Sequence, residues 1–120
     1  MSLSKLPDPK TSMEVSPELV NELADQIAAG DCLLVDCREQ DEWDFNRISG
    51  ARLAPLSAFA TEAASLVAND NLPCIIYCHH GMRSLRAVEW LRSHGHDQSW
   101  SIRGGIEAWS ERIDPEVPRY

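Results

Sequence analysis

Two short apolar runs constrain the fold of this chain more than any other feature, Cys32-Leu33-Leu34-Val35-Asp36 and Cys74-Ile75-Ile76-Tyr77-Cys78. Each is too brief for a helix and too continuously apolar for a strand with one wet face, so each reads as a buried strand of a parallel sheet. Ser99 to Ile102 is a further strand candidate. Helical patterns lie between them. Ser16-Pro17-Glu18 opens one, with a Ser N-cap, Pro at the first helical position and an acid in the first turn. Leu19, Leu23 and Ile27 form its buried stripe and Gly30 ends it. Residues 57–67 are Ala-rich and predict a second helix; Leu85, Val88 and Leu91 mark a third, closed by His94-Gly95; residues 106–113 predict a short last one after a Gly104-Gly105 turn. Ala51-Arg52-Leu53 predicts a further short strand, and residues 69–73 a turn. Trp43 and Phe45 are expected to anchor the polar stretch 38–48, and the other tryptophans to pack. Strands alternating with helices imply an α/β layer fold with a mostly parallel sheet. Ligand sites in such sheets lie beyond the carboxyl ends of strands, where Asp36 and Cys78 fall.

At 120 residues the chain suffices for one domain with a real core. Residues 1–12, polar with two prolines, read as a flexible N-terminal arm, 13–120 as the domain, and 114–120 as a tail along its surface. The formal net charge of -8 argues against nucleic-acid binding and against docking on anionic lipid. A small anionic substrate is compatible with it, because Arg83 and Arg86 can make the local field positive. No run approaches the roughly 20 apolar residues of a membrane span, and residues 1–10 lack a signal-peptide core, so a cytoplasmic protein is expected. Cys32, Cys37, Cys74 and Cys78 are then expected as free thiols.

Chemistry concentrates in Cys78-His79-His80-Gly81-Met82-Arg83-Ser84. A cysteine at a strand end, a Gly-containing loop and a helix start make the geometry of an activated thiolate. Loop N–H groups and the helix N-terminus present partial positive charge, which lowers a thiol pKa and holds an anion beside it. A zinc site drawn from Cys78, His79, His80, His94 or His96 fits less well: adjacent histidines point different ways and no cysteine pair has metal spacing. His79 and His80 read instead as solvent-facing residues that titrate near neutral pH. No metal or organic cofactor is implied.

Four stretches together resemble a known family. Leu34-Val35-Asp36-Cys37-Arg38-Glu39 is similar to the Asp-x-Arg-Glu stretch of rhodanese domains. Arg47-Ile48-Ser49-Gly50-Ala51 is similar to their His-Ile-Pro-Gly-Ala turn, with Arg47 and Ser49 in place of the usual His and Pro. Residues 78–84 resemble the active-site loop, and Gly104-Gly105-Ile106-Glu107-Ala108-Trp109 the closing Gly-Gly-x-x-Ala-Trp motif. The tail, through Asp114-Pro115 to Val117-Pro118-Arg119-Tyr120, resembles the rhodanese domain fused to adenylyltransferases that activate sulfur-carrier proteins.

The resemblance implies a rhodanese-like fold, a mostly parallel five-stranded sheet flanked by helices on both faces. It implies a sulfurtransferase in which Cys78 attacks the outer sulfur of a small anionic donor such as thiosulfate. The resulting persulfide passes its sulfur to a thiol, cyanide or a sulfur-carrier protein, in two covalent steps. His79, His80, Gly81, Met82, Arg83 and Ser84 would form the loop. Its N–H groups would hold the anionic persulfide, Gly81 would allow the tight turn, Arg83 would pair with donor oxygens, and Ser84 would cap the helix or add a hydroxyl. Asp36 and Arg38 would brace the site, Arg38 against Glu39 or Glu42. Cys37 reads as a packing cysteine or as a thiol that resolves the persulfide. Cys74, on the same strand face as Cys78, reads as core. Cysteine phosphatases also place Cys-loop-Arg at a helix start, but with five intervening residues; the four here make a smaller cradle, suited to sulfur rather than phosphate. A rhodanese-like module that docks a partner without turnover is the other reading, against which the complete Cys78 loop argues.

Overall fold

The computed structural model describes residues 2–67 and 72–120, so most of the expected turn at 69–73 lies outside the described residues. Its strands are β1 (Glu14–Val15), β2 (Leu33–Asp36), β3 (Arg52–Leu53), β4 (Cys74–Tyr77) and β5 (Ser99–Ile102). Its α-helices are α1 (Pro17–Glu22), α2 (Ala24–Ala29), α3 (Gln40–Phe45), α4 (Phe59–Val67), α5 (Met82–Ser93) and α6 (Gly105–Arg112). The strands form one sheet in the order β1-β5-β4-β2-β3, and every pairing is parallel.

Alternation along the buried strands divides the core in two. Leu34, Ile75, Tyr77, Trp100 and Ile102 face one side, with Val20, Leu23, Ile106 and Trp109 from α1, α6 and the α1–α2 junction. Leu33, Val35, Cys74 and Ile76 face the other, with Phe59 of α4 and Ala87, Val88 and Leu91 of α5. Helices therefore cover both faces of the sheet. Cys74 and Cys78 share the α5 side, as the two-residue repeat requires.

The helix expected from Ser16 to Gly30 is two short helices. Ser16 Oγ accepts from Leu19 N at 3.1 Å, and Gly30 closes α2 at φ 85°. Between them the N–H of Leu23 is shared by the carbonyls of Leu19 and Val20 at 3.1 and 3.0 Å. That tightening breaks the ladder while keeping the Leu23 side chain fully buried. Trp43 is partly buried under the Arg47 guanidinium, 4.4 Å from its ring. Phe45 does not anchor: it is 52% exposed, and Arg38, Asn46 and Ile48 are the buried residues of that stretch. Residues 2–12 lie against the domain, with Leu3 and Leu6 on the core and the carbonyls of Pro9 and Ser12 held by Arg92 at 2.7 and 2.9 Å.

Candidate active site

Cys78 directly follows the last residue of β4, and the chain then turns sharply at Gly81, φ 107°, the N-cap of α5. This turn brings the N–H groups of Gly81 and Ser84 onto the Cys78 Sγ at 3.0 and 3.4 Å, with Ser84 Oγ also at 3.4 Å. Ser84 Oγ lies 2.6 Å from Ser101 Oγ on β5 and donates to the Gly81 carbonyl at 3.2 Å. Ser84 is therefore buried under the loop, tying α5 to β5 as well as facing sulfur.

For the loop to aim N–H groups at sulfur, its carbonyls must find partners elsewhere. The first turn of α6 supplies them: Ile106 N donates to the Cys78 carbonyl at 2.8 Å and Glu107 N to the His79 carbonyl at 3.1 Å. Orphan donors of one helix thus hold the outward side of the loop. The approach is so close that a Cβ on Gly105, at φ 62°, would overlap both carbonyl oxygens and stand 2.6 Å from the His79 carbonyl carbon. The second glycine of the pair serves the active loop as well as the turn.

Cys37 has two readings from sequence alone, packing or resolving thiol, and its place in the sheet bears on both. The register Asp36↔Tyr77 continues into a bond from Cys37 N to the Tyr77 carbonyl at 3.0 Å, which places Cys37 beside Cys78. Both are buried in the same cluster, so the two thiols act on each other. The neighbouring Cys37 thiol is the largest influence holding the Cys78 thiol down to about 5; burial opposes it, and Ser84 and Gly81 add to it. The Cys37 thiol is correspondingly pushed up, by Cys78 first and by burial second, so it stays protonated beside the thiolate. Alkylation of Cys78 by iodoacetamide is expected to run at a constant rate from pH 9 down to about 6 and to fall through a midpoint near 5. In Cys37→Ala that midpoint should rise by about one pH unit or more, because the thiolate loses the neighbour that stabilises it. An unmoved midpoint would remove Cys37 from this role.

Asp36 and Arg38 form a fully buried pair, Arg38 Nη2 to Asp36 Oδ2 at 2.7 Å and Nε to Oδ1 at 3.0 Å. The expected brace of Arg38 against Glu39 or Glu42 is not formed. The remaining donors go to Asn46 Oδ1 and its carbonyl, each at 2.7 Å, and to Tyr120 Oη at 2.9 Å. A guanidinium buried beside Asp36 has its carboxylate there already and cannot reach two more acids on the surface. Burial works against its charge, but the bonds to Asp36 and Tyr120 outweigh it and the Arg38 pKa rises. Glu39 instead binds Ser57 Oγ at 2.6 Å. Glu42 takes the guanidinium of Arg83 in a two-pronged fork.

The histidines do not simply face water. His79 lies stacked between the rings of His80 and Tyr120, each centroid 3.9 Å away. Burial first, then His80, lowers its pKa, so the ring is neutral at pH 7. His80 is exposed, and Met82, 71% exposed, forms the outer lip. Among the described residues no group of three or more His, Cys, Asp or Glu side chains is arranged to hold a metal ion.

A parallel sheet with a cysteine loop seated on a helix N-terminus finds its match in the rhodanese-like domain, whose family pattern covers residues 19–112. The chain belongs to the rhodanese-like family. It is 31% identical over 105 residues to the Arabidopsis thaliana Rhodanese-like/PpiC domain-containing protein 12, chloroplastic, covering 86% of this chain and 35% of that protein. It is also 31% identical over 100 residues to the Mycobacterium tuberculosis probable adenylyltransferase/sulfurtransferase MoeZ, covering 82% of this chain and 26% of that protein. The chain thus spans about a third or less of these two curated relatives. A crystal structure of a rhodanese-related protein from Thermoplasma volcanium superposes with a TM-score of 0.69 at 25% identity, over 88% of this chain and 94% of that one. The relatives of this rhodanese-like domain therefore include proteins named as sulfurtransferases, the probable adenylyltransferase/sulfurtransferase MoeZ among them.

Proposed function

We propose that this domain is a sulfurtransferase whose Cys78 accepts sulfane sulfur as a persulfide and hands it to a thiol, cyanide or the terminus of a sulfur-carrier protein. The carrying observation is the seat of the Cys78 sulfur, which accepts from the backbone N–H groups of Gly81 and Ser84 and lies against the Ser84 hydroxyl, with Cys37 buried in the same cluster. Such a seat stabilises the anionic sulfur of the resting thiolate without a bound metal. The same donors can follow the charge to the outer sulfur of the persulfide. In the loading step the thiolate forms an S–S bond to the donor's outer sulfur, and the donor's own bond breaks, its electron pair leaving with sulfite or a thiolate. In the second step the acceptor attacks that outer sulfur and Cys78 leaves as the thiolate. The four buried, unpaired cysteines suit a reducing compartment such as the cytoplasm. The likeness to an adenylyltransferase fusion supports a carrier protein as acceptor.

The test is the intact mass of the protein after incubation with thiosulfate and, separately, with a small organic persulfide. A gain of about 32 Da that cyanide removes, and that Cys78→Ala lacks, is the expected result. No gain from either donor on a reduced, titratable Cys78 overturns the proposal.

A further inference from the structure

Arg83, the loop cation expected to meet the donor's oxygens, is already occupied. Its Nη1 and Nη2 bind Glu42 Oε1 and Oε2 at 2.6 and 2.8 Å. Glu42 is fixed from two further directions. The Glu39 N–H donates to its Oε1 at 3.1 Å, as part of the α3 capping box, and Tyr120 Oη donates to its Oε2 at 2.6 Å. The Tyr120 hydroxyl in turn accepts from buried Arg38, while its ring lies flat on His79 and meets the edge of Phe45 at 5.6 Å. Isolated surface ion pairs fluctuate and contribute little. A two-pronged arginine–carboxylate pair held in a network is the exception. Here the side chains are 34% exposed for Arg83 and 17% for Glu42.

An anion approaching the loop therefore meets a neutral pair, beside a thiolate that repels it. Thiosulfate arrives as a dianion and releases sulfite, so its loading depends on a free cation. An organic persulfide carries at most one charge at the transferred sulfur and leaves as a single thiolate, so the backbone N–H groups suffice. We propose that Glu42, positioned by Tyr120, sets the donor class of this site, favouring organic persulfides over thiosulfate. The inference rests on the sulfurtransferase reading. In the favoured step Cys78 forms its S–S bond to the outer sulfur of R–S–SH, the inner S–S bond breaks, and R–S⁻ departs with that electron pair.

The test measures kcat/KM for sulfur loading from thiosulfate and from glutathione persulfide in the wild type, Glu42→Gln and Tyr120→Phe. The wild type should prefer the persulfide. Glu42→Gln frees the guanidinium and should raise the thiosulfate-to-persulfide ratio about tenfold, through a lower KM for thiosulfate and with a steeper salt dependence. Tyr120→Phe keeps the ring stack, loosens Glu42 and should move the ratio the same way by a smaller factor. A purely structural role would lower loading from both donors and leave the ratio unmoved, which overturns the inference. A wild type that prefers thiosulfate overturns it too, while leaving sulfur transfer by Cys78 standing. Failure of both donors in every variant overturns the underlying reading as well.

Discussion

Gly105→Ala should lose roughly 3–5 kcal/mol of stability, lower Tm on the order of 10 °C or more and raise the alkylation midpoint of Cys78. Two effects combine at this position. A side chain at φ 62° costs about 1 kcal/mol in any loop. The larger effect is steric: a Cβ would overlap the carbonyl oxygens of Cys78 and His79, which are backbone atoms and cannot swing aside. Either α6 retreats, and the bonds from Ile106 N and Glu107 N lengthen, or the loop rotates and its N–H groups leave the sulfur. Gly30→Ala separates the effects, because Gly30 shares the positive φ and a methyl group there would meet nothing within 4 Å. It should lose only about 1 kcal/mol and leave the Cys78 midpoint where it is. Equal losses in the two variants would mean that α6 does not buttress the loop. Urea unfolding and the pH profile of alkylation read both.

That dependence of one loop on a distant glycine shows where the sequence stops being readable. Strands β2 and β4 were legible because the continuous apolar runs Cys32 to Val35 and Cys74 to Tyr77 have no other place than a sheet covered on both faces, whereas β5 was only a candidate because the buried Ser99 and Ser101 alternate with Trp100 and Ile102. Strand β1 was not, since Glu14–Val15 is a strand only through its pairing with Ser101 and Ile102. The break at Leu23 was hidden because the apolar stripe runs through it unbroken in sequence. In the site, Cys78, Gly81 and Ser84 were legible because their geometry is local, made by one strand end and one helix start. Cys37 and Gly105 carry no local signal of their roles: the first depends on the register of β2 against β4, the second on where α6 docks. Glu42 and Tyr120 are 78 residues apart, and only the folded chain joins them. Phe45 misled because an aromatic in a polar stretch normally seeks the core, whereas here its ring meets that of Tyr120 near the surface.

Arg38→Met should cost about 3–5 kcal/mol, because it leaves the Asp36 carboxylate buried without its cation. Asp36 is completely covered and keeps the backbone N–H of position 38 at 2.9 Å, but loses the guanidinium bonds at 2.7, 3.0 and 3.1 Å. Removing the carboxylate too, in Asp36→Leu/Arg38→Met, should recover more than half of that loss, since a buried pair is expensive mainly when it is broken on one side. Recovery stays incomplete because the Asn46 side chain and carbonyl still lose their donors. If the double variant is no more stable than Arg38→Met, the ion pair is not the source of the loss. Stability and donor choice then part company in an informative way. Both variants remove the bond from Arg38 Nη1 to Tyr120 Oη. Restoring the core therefore does not restore the hold on Glu42. The double variant should be clearly more stable than Arg38→Met, yet its thiosulfate-to-persulfide ratio should rise as in Tyr120→Phe. The charge at the Asp36 end serves the fold, and the donors that Arg38 sends outward serve the site.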